Sequence, residues 1–263
     1  MRICLKDVAL EVRDEGRGPP ALLLHGFPTS NRLWDEVIPR LCGAGLRCVA
    51  PDLAGYGLSE SPMDGEPRME RQARWLVELL DAFGIDSALV VAHDVGSAAA
   101  EILLADSPRR VRGLVVVDGV YADQWAMDWV EGIQQWDPAK AARLAPVLAR
   151  RMRTPGLPAD AIAAMLAAYE GEPGSLRLIA AARALRPSET ATRLSALRAA
   201  DVPALVLWGS EDRYLPIDSV ARPLADLLRA ELHLIPGGHF LPAEAPQRVA
   251  EEIVAFERSL ARA

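Results

Sequence analysis

The stretch that decides the fold of this chain is Leu89-Val90-Val91-Ala92-His93-Asp94-Val95-Gly96-Ser97-Ala98-Ala99. A β-branched, apolar run leads to the small residue Ala92, and an alanine-rich, helix-favouring run follows Gly96. Asp94 stands between these two small residues. This spacing is typical of a tight strand-to-helix turn that presents one reactive side chain, because bulky neighbours do not fit beside it. The sequence therefore predicts a buried strand, a sharp turn and a helix, with Asp94 at the turn.

The identity of Asp94 restricts the chemistry that such a turn can perform. A carboxylate that attacks a saturated carbon forms an alkyl ester, and a histidine-activated water can hydrolyse that ester at the Asp carbonyl. Acyl substrates suit a carboxylate poorly, since the attack gives a reactive anhydride. Asp94 therefore indicates a substrate with an electrophilic sp³ carbon, either an epoxide or a carbon–halogen bond. The alternative explanation is that Asp94 is only a helix N-cap, where Asp is favoured.

Length and composition limit the possible classes of protein. The 263 residues fit one large α/β domain or a domain with an insertion, and the 51% hydrophobic content is enough for a sizeable core. The net charge of −7 argues against nucleic acid or an anionic membrane as a partner. The three cysteines and four histidines lack metal-ligand spacing, so no metal or cofactor is implied. The start of the chain lacks an apolar signal core, and we expect a cytoplasmic monomer or homodimer.

Strand and helix patterns alternate in the first half of the chain and again near its end. Helices of ten to fifteen residues between short apolar strands predict βαβ units and a parallel sheet. The predicted strands are an antiparallel pair within Cys4–Arg13, then Pro20–His25, Arg47–Pro51, Ala88–Ala92, Gly113–Val117, Pro203–Leu207 and Glu231–Ile235. The predicted helices are Asn31–Gly43, Pro67–Phe83, the segment after Asp94, and Pro246–Leu260.

The middle of the chain has a different pattern. From about Tyr121 to about Leu194 no strand run occurs, and a helical, alanine- and arginine-rich sequence is interrupted by prolines. We interpret this segment as a helical cap inserted into the sheet domain. The predicted division is a core domain of residues 1–120 and 195–263 and a cap domain of residues 121–194.

Two further loops supply the partners that a nucleophilic Asp94 needs. Asp212 follows the strand that ends in Leu207-Trp208-Gly209, and His239 lies in a glycine-rich loop after the last strand. His239 is expected to deprotonate a water, and Asp212 to orient the imidazole and stabilise its charged form. Glu211 competes with Asp212 for this role, and the motif position favours Asp212. A His239 that is only structural is the alternative.

The loop Leu24-His25-Gly26-Phe27-Pro28 follows a strand directly. Loops of this kind donate a main-chain N–H to an oxyanion hole, here that of Phe27, and the residue after the nucleophile, Val95, donates the other. His25 is expected to shape this loop rather than to react. By strand alternation, the side chain of His93 is expected to point away from Asp94.

Taken together, these motifs resemble the α/β-hydrolase superfamily over essentially the full chain. The resemblance rests on the turn at Asp94 and on His25-Gly26-Phe27-Pro28, Pro51-Asp52-Leu53-Ala54-Gly55-Tyr56-Gly57-Leu58-Ser59, Trp208-Gly209 with Asp212, and Gly238-His239. It implies an α/β fold with about eight mostly parallel strands, helices on both faces and an inserted helical cap. His93-Asp94-x-Gly96 is similar to the Asp-nucleophile branch, which contains epoxide hydrolases, haloalkane dehalogenases and fluoroacetate dehalogenases.

The resemblance also bears on the choice among these three activities. Haloalkane dehalogenases usually carry Trp after the nucleophile and many carry Asn after His-Gly, whereas this chain has Val95 and Phe27. Fluoroacetate dehalogenases usually carry Arg where Val95 stands. Epoxide hydrolases commonly carry His-Gly-Phe-Pro and use two cap tyrosines as proton donors. Tyr169 is a candidate for one of them, and Ala182 stands where the second is often found. Substitute donors would come from Tyr121, Trp125, Trp129, Trp136 or Tyr214.

The sequence thus favours hydrolysis of an apolar epoxide through an ester on Asp94. The main alternative is a haloalkane or haloacid dehalogenase with unusual halide donors, such as a cap tryptophan. A non-hydrolytic biosynthetic relative and a non-catalytic binding protein stay open as further alternatives. The expected substrate is a small apolar organic molecule. The side chains expected to contact it are Tyr169, Tyr121, Trp125, Trp129 and Phe240.

Overall fold

The computed structural model describes residues 1–260, and its centre is one eight-stranded sheet in the order β1-β2-β4-β3-β5-β6-β7-β8. The neighbours β1–β2 and β2–β4, at one edge of the sheet, are antiparallel, and all other neighbouring strands are parallel. The predicted mostly parallel eight-stranded sheet is confirmed. The strands are β1 Arg2–Cys4, β2 Ala9–Gly16, β3 Pro20–Leu24, β4 Arg47–Pro51, β5 Ala88–Asp94, β6 Val111–Gly119, β7 Ala204–Gly209 and β8 Glu231–Ile235.

Helices connect the strands and fill the middle of the chain. They are α1 Ile38–Gly43, α2 Met69–Ala82, α3 Val95–Asp106, α4 Met127–Gln134, α5 Leu144–Met152, α6 Ala159–Leu166, α7 Glu172–Ala184, α8 Ser188–Ala191, α9 Leu194–Ala199, α10 Arg222–Leu228, α11 Leu241–Glu244 and α12 Pro246–Leu260. Short 3₁₀ turns add to these, and a π-helical turn, Ile217–Ala221, precedes α10. No helix among residues 1–260 is both long and apolar enough to cross a membrane.

One predicted helix was wrong. The expected Asn31–Gly43 helix is a 3₁₀ turn, Asn31–Trp34, followed by a separate helix α1 that begins at Ile38. Pro39 explains the break, since proline has no N–H to donate to the preceding turn and is tolerated only in the first turn of a helix. The predicted bounds of β4, β8 and α12 agree with the structure.

The central strands bring the motif loops together. Every residue of β5 is buried, and α3 packs on β5 and β6, as expected for a parallel strand covered on its faces. Because β3, β5, β6, β7 and β8 run parallel, the loops that follow them meet at one edge of the sheet. In open α/β sheets this carboxyl edge is where ligands bind.

Residues 121–194, which we term the cap segment, lie between β6 and β7. The structure describes this segment throughout and shows helices α4 to α8 in it, with no strand beyond one isolated bridge between Tyr121 and Gln124. The start of the segment lies over the carboxyl edge of the sheet, because Trp125 and Trp129 share a cavity with Asp94. Its division from the core as a domain stays a prediction.

Candidate active site

Asp94 occupies a strained position at the end of β5. Its backbone has φ 49° and ψ −130°, a combination that side-chain-bearing residues rarely adopt. Such strain persists only where the surrounding structure imposes it, and it is concentrated at functional sites. Within residues 1–260 the side chain makes no capping hydrogen bond to α3, which begins at Val95. Capping therefore does not account for this residue.

Two glycines create the space that this turn needs. A Cβ atom on Gly96 would lie 2.4 Å from the carbonyl oxygen of His25, so no larger residue fits there. A Cβ atom on Gly26 would lie 2.4 Å from the Cβ of Asp94. The small residue after the turn and the glycine of the His-Gly motif therefore serve the same purpose, the close approach of two loops.

The two oxygens of the Asp94 carboxylate have different partners. The main-chain N–H of Phe27 donates a hydrogen bond to Oδ1 over 2.8 Å, and Nε2 of His239 lies 3.5 Å from Oδ2. Burial alone would raise the pKa of Asp94, but the neighbouring His239 holds it below its ordinary value. Asp94 is therefore an ionised carboxylate that is 7% exposed.

His239 is held from its other side by Asp212. The Nδ1–H of His239 donates to Oδ2 of Asp212 over 2.9 Å, and Oδ1 of Asp212 accepts the amide N–H groups of Tyr214 and Leu215. Burial acts to lower the pKa of His239, but the charges and hydrogen bonds of Asp212 and Asp94 outweigh it and raise the pKa well above its ordinary value. The geometry thus favours Asp212 over the exposed Glu211 as the partner of His239.

The two other buried histidines support the loops around this site. Nδ1–H of His25 donates to the carbonyl of Gly26, and its Nε2 accepts the amide N–H of Leu53. Nε2–H of His93 donates to the carbonyl of His239 over 2.8 Å. Burial lowers the pKa of both rings to about 4, so both are neutral. They have the structural roles that the sequence predicted.

A small cavity, nearly filled by the side chains around it, lies above Asp94. It is narrow and mostly apolar. Among the described residues that line it, none is Lys or Arg. The lining residues are Phe27, Asp94, Val95 and His239 from the core, Trp125, Ala126, Met127, Trp129 and Val130 from the cap segment, and Tyr214 from the loop after β7.

The structure does not support a proton-donating role for Tyr169. Its side chain is fully buried, its hydroxyl donates to the carbonyl of Thr29 over 2.7 Å, and the same oxygen accepts the amide N–H of Gly57 over 2.8 Å. Tyr169 therefore ties the cap segment to two core loops outside the cavity. Phe240 and Tyr121 also lie outside its lining, and Phe240 packs against the ring of His239 instead. Trp125 and Trp129 line the cavity, as expected.

Sequence reasoning missed Asp118, which follows the apolar run of β6. Its φ of 43° is strained, its side chain is fully buried, and Oδ1 accepts the amide N–H of Gly209. Burial and the charge of Asp212 raise the pKa of Asp118 well above its ordinary value. Asp118 thereby helps to hold the start of the loop that carries Asp212. An acidic residue directly after a buried strand, on the edge where the motif loops meet, was the available signal.

Comparison with known proteins decides the family. The family model for the alpha/beta hydrolase fold matches residues 19–246. The chain belongs to the α/β-hydrolase family. This hydrolase is 31% identical over 254 residues to haloalkane dehalogenase 2 of Mycobacterium tuberculosis, with 92% of the chain and 88% of that protein covered.

Other relatives of this α/β-hydrolase are named either epoxide hydrolase or haloalkane dehalogenase. It is 26% identical to an epoxide hydrolase of Caballeronia sordidicola, with 98% of the chain and 93% of that protein covered. Among solved structures, a haloalkane dehalogenase from Bradyrhizobium elkani superposes with a TM-score of 0.80 at 27% identity, with 98% of both chains covered. The family contains both activities that the sequence left open for Asp94.

Proposed function

We propose that this α/β-hydrolase cleaves a bond at an sp³ carbon through an alkyl ester on Asp94. The observation that carries the proposal is that the two oxygens of the Asp94 carboxylate have different partners. Oδ1 accepts the Phe27 N–H, and Oδ2 faces His239. One oxygen is thus fixed as the future ester carbonyl, and the other is left to attack. This arrangement suits a carboxylate nucleophile better than a binding site or a helix cap.

In the first step, Oδ2 of Asp94 attacks the carbon, and the bond to the leaving group breaks with its electron pair. Ester formation removes the negative charge of Asp94. Because that charge helps to raise the pKa of His239, the pKa falls on esterification, the imidazolium releases its proton to solvent, and the neutral imidazole can then accept a proton from water. Esterification itself therefore converts His239 into a base.

In the second step, His239 takes a proton from water, and the oxygen attacks the Asp94 carbonyl carbon. The Phe27 N–H faces the oxygen on which negative charge develops, which is the purpose of an oxyanion hole. The alcohol leaves with a proton, and the Asp94 carboxylate is restored. Asp212 keeps the imidazole in the required tautomer throughout, since it accepts the Nδ1–H.

The leaving group that the cavity suits best is a halide on an uncharged haloalkane. A halide needs an N–H donor but no proton, and Trp129 lines the cavity with an indole N–H that is buried and has no partner among residues 1–260. The hydroxyl of Tyr169 is already engaged, and burial raises the pKa of Tyr56, which makes it a poorer acid. A carboxylate-bearing haloacid would lie beside the negative Asp94 in a lining without a described Lys or Arg.

Epoxide hydrolysis is the second candidate, and Tyr214 is the observation that favours it. This tyrosine lines the cavity, and its hydroxyl has a long contact of 3.3 Å with the carbonyl of Arg151. A modest rotation would free the phenol to protonate an alkoxide. The relative named as an epoxide hydrolase adds support at the level of the family.

The decisive test is a His239→Ala variant in which the ester forms and persists. The variant is treated with n-butyl bromide or butylene oxide, and the peptide that contains Asp94 is weighed by mass spectrometry. A mass gain equal to the alkyl group alone supports the dehalogenase, and a mass gain equal to the whole epoxide supports the epoxide hydrolase.

Two variants serve as controls. Asp94→Ala in the same background should stay unlabelled. His233→Ala, which changes a part-exposed histidine between Glu231 and Glu252, is the matched histidine control. No label with either reagent would contradict the covalent mechanism for these substrate classes.

A further inference from the structure

The cavity is bordered by a continuous series of ring contacts, which we term the aromatic arch: Phe27, Trp129, Tyr214 and His239. Phe27 meets Trp129 edge to face at 5.9 Å, Trp129 stacks on Tyr214 at 5.6 Å with 26° between the planes, and Tyr214 meets His239 at 5.1 Å. The two ends of the arch are the residues that contact the two oxygens of Asp94. The arch therefore spans the carboxylate from one side to the other.

The middle pair of the arch joins the cap segment to the core. Trp129 belongs to α4, whereas Tyr214 lies two residues after Asp212 and donates its amide N–H to that carboxylate over 2.7 Å. The hydroxyl of Tyr214 also reaches the carbonyl of Arg151 in α5. Tyr214 is thus held on one side by Asp212, in the loop after β7, and on the other by Arg151 of the cap segment. Movement of either ring would break the stack between them, and movement of the Tyr214 ring would also break its contact with Arg151.

Exposure shows where the pair stands relative to solvent. Trp129 and Tyr214 are both half-buried, while the side chains of Asp94 and His239 are only 7% and 4% exposed. The two stacked rings therefore lie between the carboxylate and the outside. Trp129 also meets Phe27, so its indole leaves little width on the oxyanion side of the cavity.

We propose that the Trp129–Tyr214 stack sets the upper size limit of the substrate, so that the site takes compact, uncharged molecules with short carbon chains. This inference rests on the proposed function, because it assigns the substrate class of the same site. The narrow cavity ends at the stack, and a longer chain has to displace one of the two rings. Displacement of either ring gives up aromatic contact and costs binding energy.

The first test compares catalytic efficiency on n-ethyl, n-butyl, n-hexyl and n-octyl bromide, followed by bromide release. We expect the wild type to lose about tenfold or more from butyl to octyl bromide, since the fit of a few methylenes in an apolar pocket is worth this much. Trp129→Leu and Tyr214→Leu should regain about tenfold on octyl bromide relative to butyl bromide. An unchanged chain-length profile in both folded variants would overturn the proposal.

Two control variants test whether the rings themselves limit the chain length, rather than the Tyr214 hydroxyl or a general loosening of the cap segment. Tyr214→Phe keeps the ring and removes only the hydroxyl that reaches Arg151, so the size limit should be retained. Trp136→Leu changes a cap tryptophan that is half-buried, lies outside the cavity lining and donates to the carbonyl of Lys140. Its profile should match that of the wild type. A shift in Trp136→Leu as large as that in Trp129→Leu would indicate general loosening of the cap segment instead.

A second measurement keeps the inference testable if no alkyl bromide is turned over. Binding of the unreactive n-butanol and n-octanol is followed by saturation-transfer NMR in the wild type and in the same variants. We expect the wild type to bind butanol and to exclude octanol, and Trp129→Leu and Tyr214→Leu to bind both. Octanol binding to the wild type as strong as butanol binding would overturn the size limit whatever the reaction is. Failure of turnover together with selective alcohol binding would count against the proposed function alone.

Discussion

Nε2–H of His93 donates a hydrogen bond to the carbonyl oxygen of His239 over 2.8 Å. The two rings lie 5.0 Å apart, and both residues are buried. His93 directly precedes Asp94 on β5, so the strand that ends in the carboxylate also holds the main chain of the imidazole that faces it. Besides the hydrogen bond from His239 to Asp212, the relative position of Asp94 and His239 therefore depends on a contact made by a residue outside the cavity lining.

Replacing His93 should slow ester hydrolysis more than ester formation. In His93→Phe the buried carbonyl of His239 loses its donor, which costs about 1–3 kcal/mol and loosens the base. We expect ester hydrolysis to fall about tenfold and alkylation of Asp94 to fall less than about threefold, a difference of roughly 1 kcal/mol in barrier. Rapid-quench mass spectrometry of the Asp94 peptide measures both steps. His93→Gln, which keeps an N–H donor, is the control, and an equal fall in both steps would argue for a merely structural role.

The raised pKa of His239 should fall when either neighbouring carboxylate is neutralised. Asp212 is the larger of the two influences, so Asp212→Asn should lower the pKa further than Asp94→Asn does. Both changes move it towards the ordinary value of about 6.5, because each removes an anion that stabilises the imidazolium. Titration of the ring protons by NMR between about pH 5 and 9 measures the shift, with the part-exposed His233 as an internal reference. A His239 pKa that rises or stays fixed in Asp212→Asn would contradict this electrostatic account.

Because the backbone at Asp94 is strained, a glycine at this position should give a more stable protein than an alanine, the reverse of the usual order of stability in a helix. Asp94→Ala and Asp94→Gly both lose the carboxylate, but only glycine adopts a φ of 49° with a ψ of −130° without strain. We expect Asp94→Gly to be more stable than Asp94→Ala by about 1–2 kcal/mol in urea unfolding. In the interior of α3 the normal order should hold, and Ala99→Gly should lower the free energy of unfolding by about 0.5–1 kcal/mol. If alanine is the more stable residue at both positions, the turn at Asp94 is not strained.

Removal of the Tyr169 hydroxyl should affect stability and leave turnover nearly unchanged. Tyr169→Phe deprives the carbonyl of Thr29 and the amide of Gly57 of their buried partner. The expected loss is about 1–3 kcal/mol in the free energy of unfolding. Turnover should stay within about threefold of the wild type, equivalent to less than 1 kcal/mol in barrier. A loss of turnover with unchanged stability would return Tyr169 to the role of proton donor.

The sequence predicted most of the sheet and the positions of Asp94, Asp212 and His239, because these depend on local signals. Apolar runs, glycines at tight turns and the order of the loops all act within a few residues of each strand end. Side-chain hydroxyl partners depend instead on distant segments. Tyr169 meets a carbonyl at Thr29, 140 positions away, and no local pattern reports that contact. The break before Pro39 could have been read from the sequence and was missed because the apolar spacing continues through it.

The stack of Trp129 on Tyr214 could not be predicted either, although both residues were named as substitute donors. Their contact depends on how the cap segment lies on the loop after β7. Asp118 was missed although it directly follows the apolar run of β6, because its burial beside Asp212 becomes visible only in the folded structure.

The donor to Oδ1 of Asp94 is the main chain of Phe27 rather than a side chain. Every residue except proline carries this N–H group. Substitutions at this position other than proline would therefore report on the packing of the ring and would not change the main-chain N–H that donates to Asp94. The contribution of this group to the reaction has to be found by altering the backbone itself, for instance with an ester linkage in place of the amide. Substitutions of the Phe27 side chain could then be tolerated, although the main-chain N–H at the same position is required by the proposed reaction.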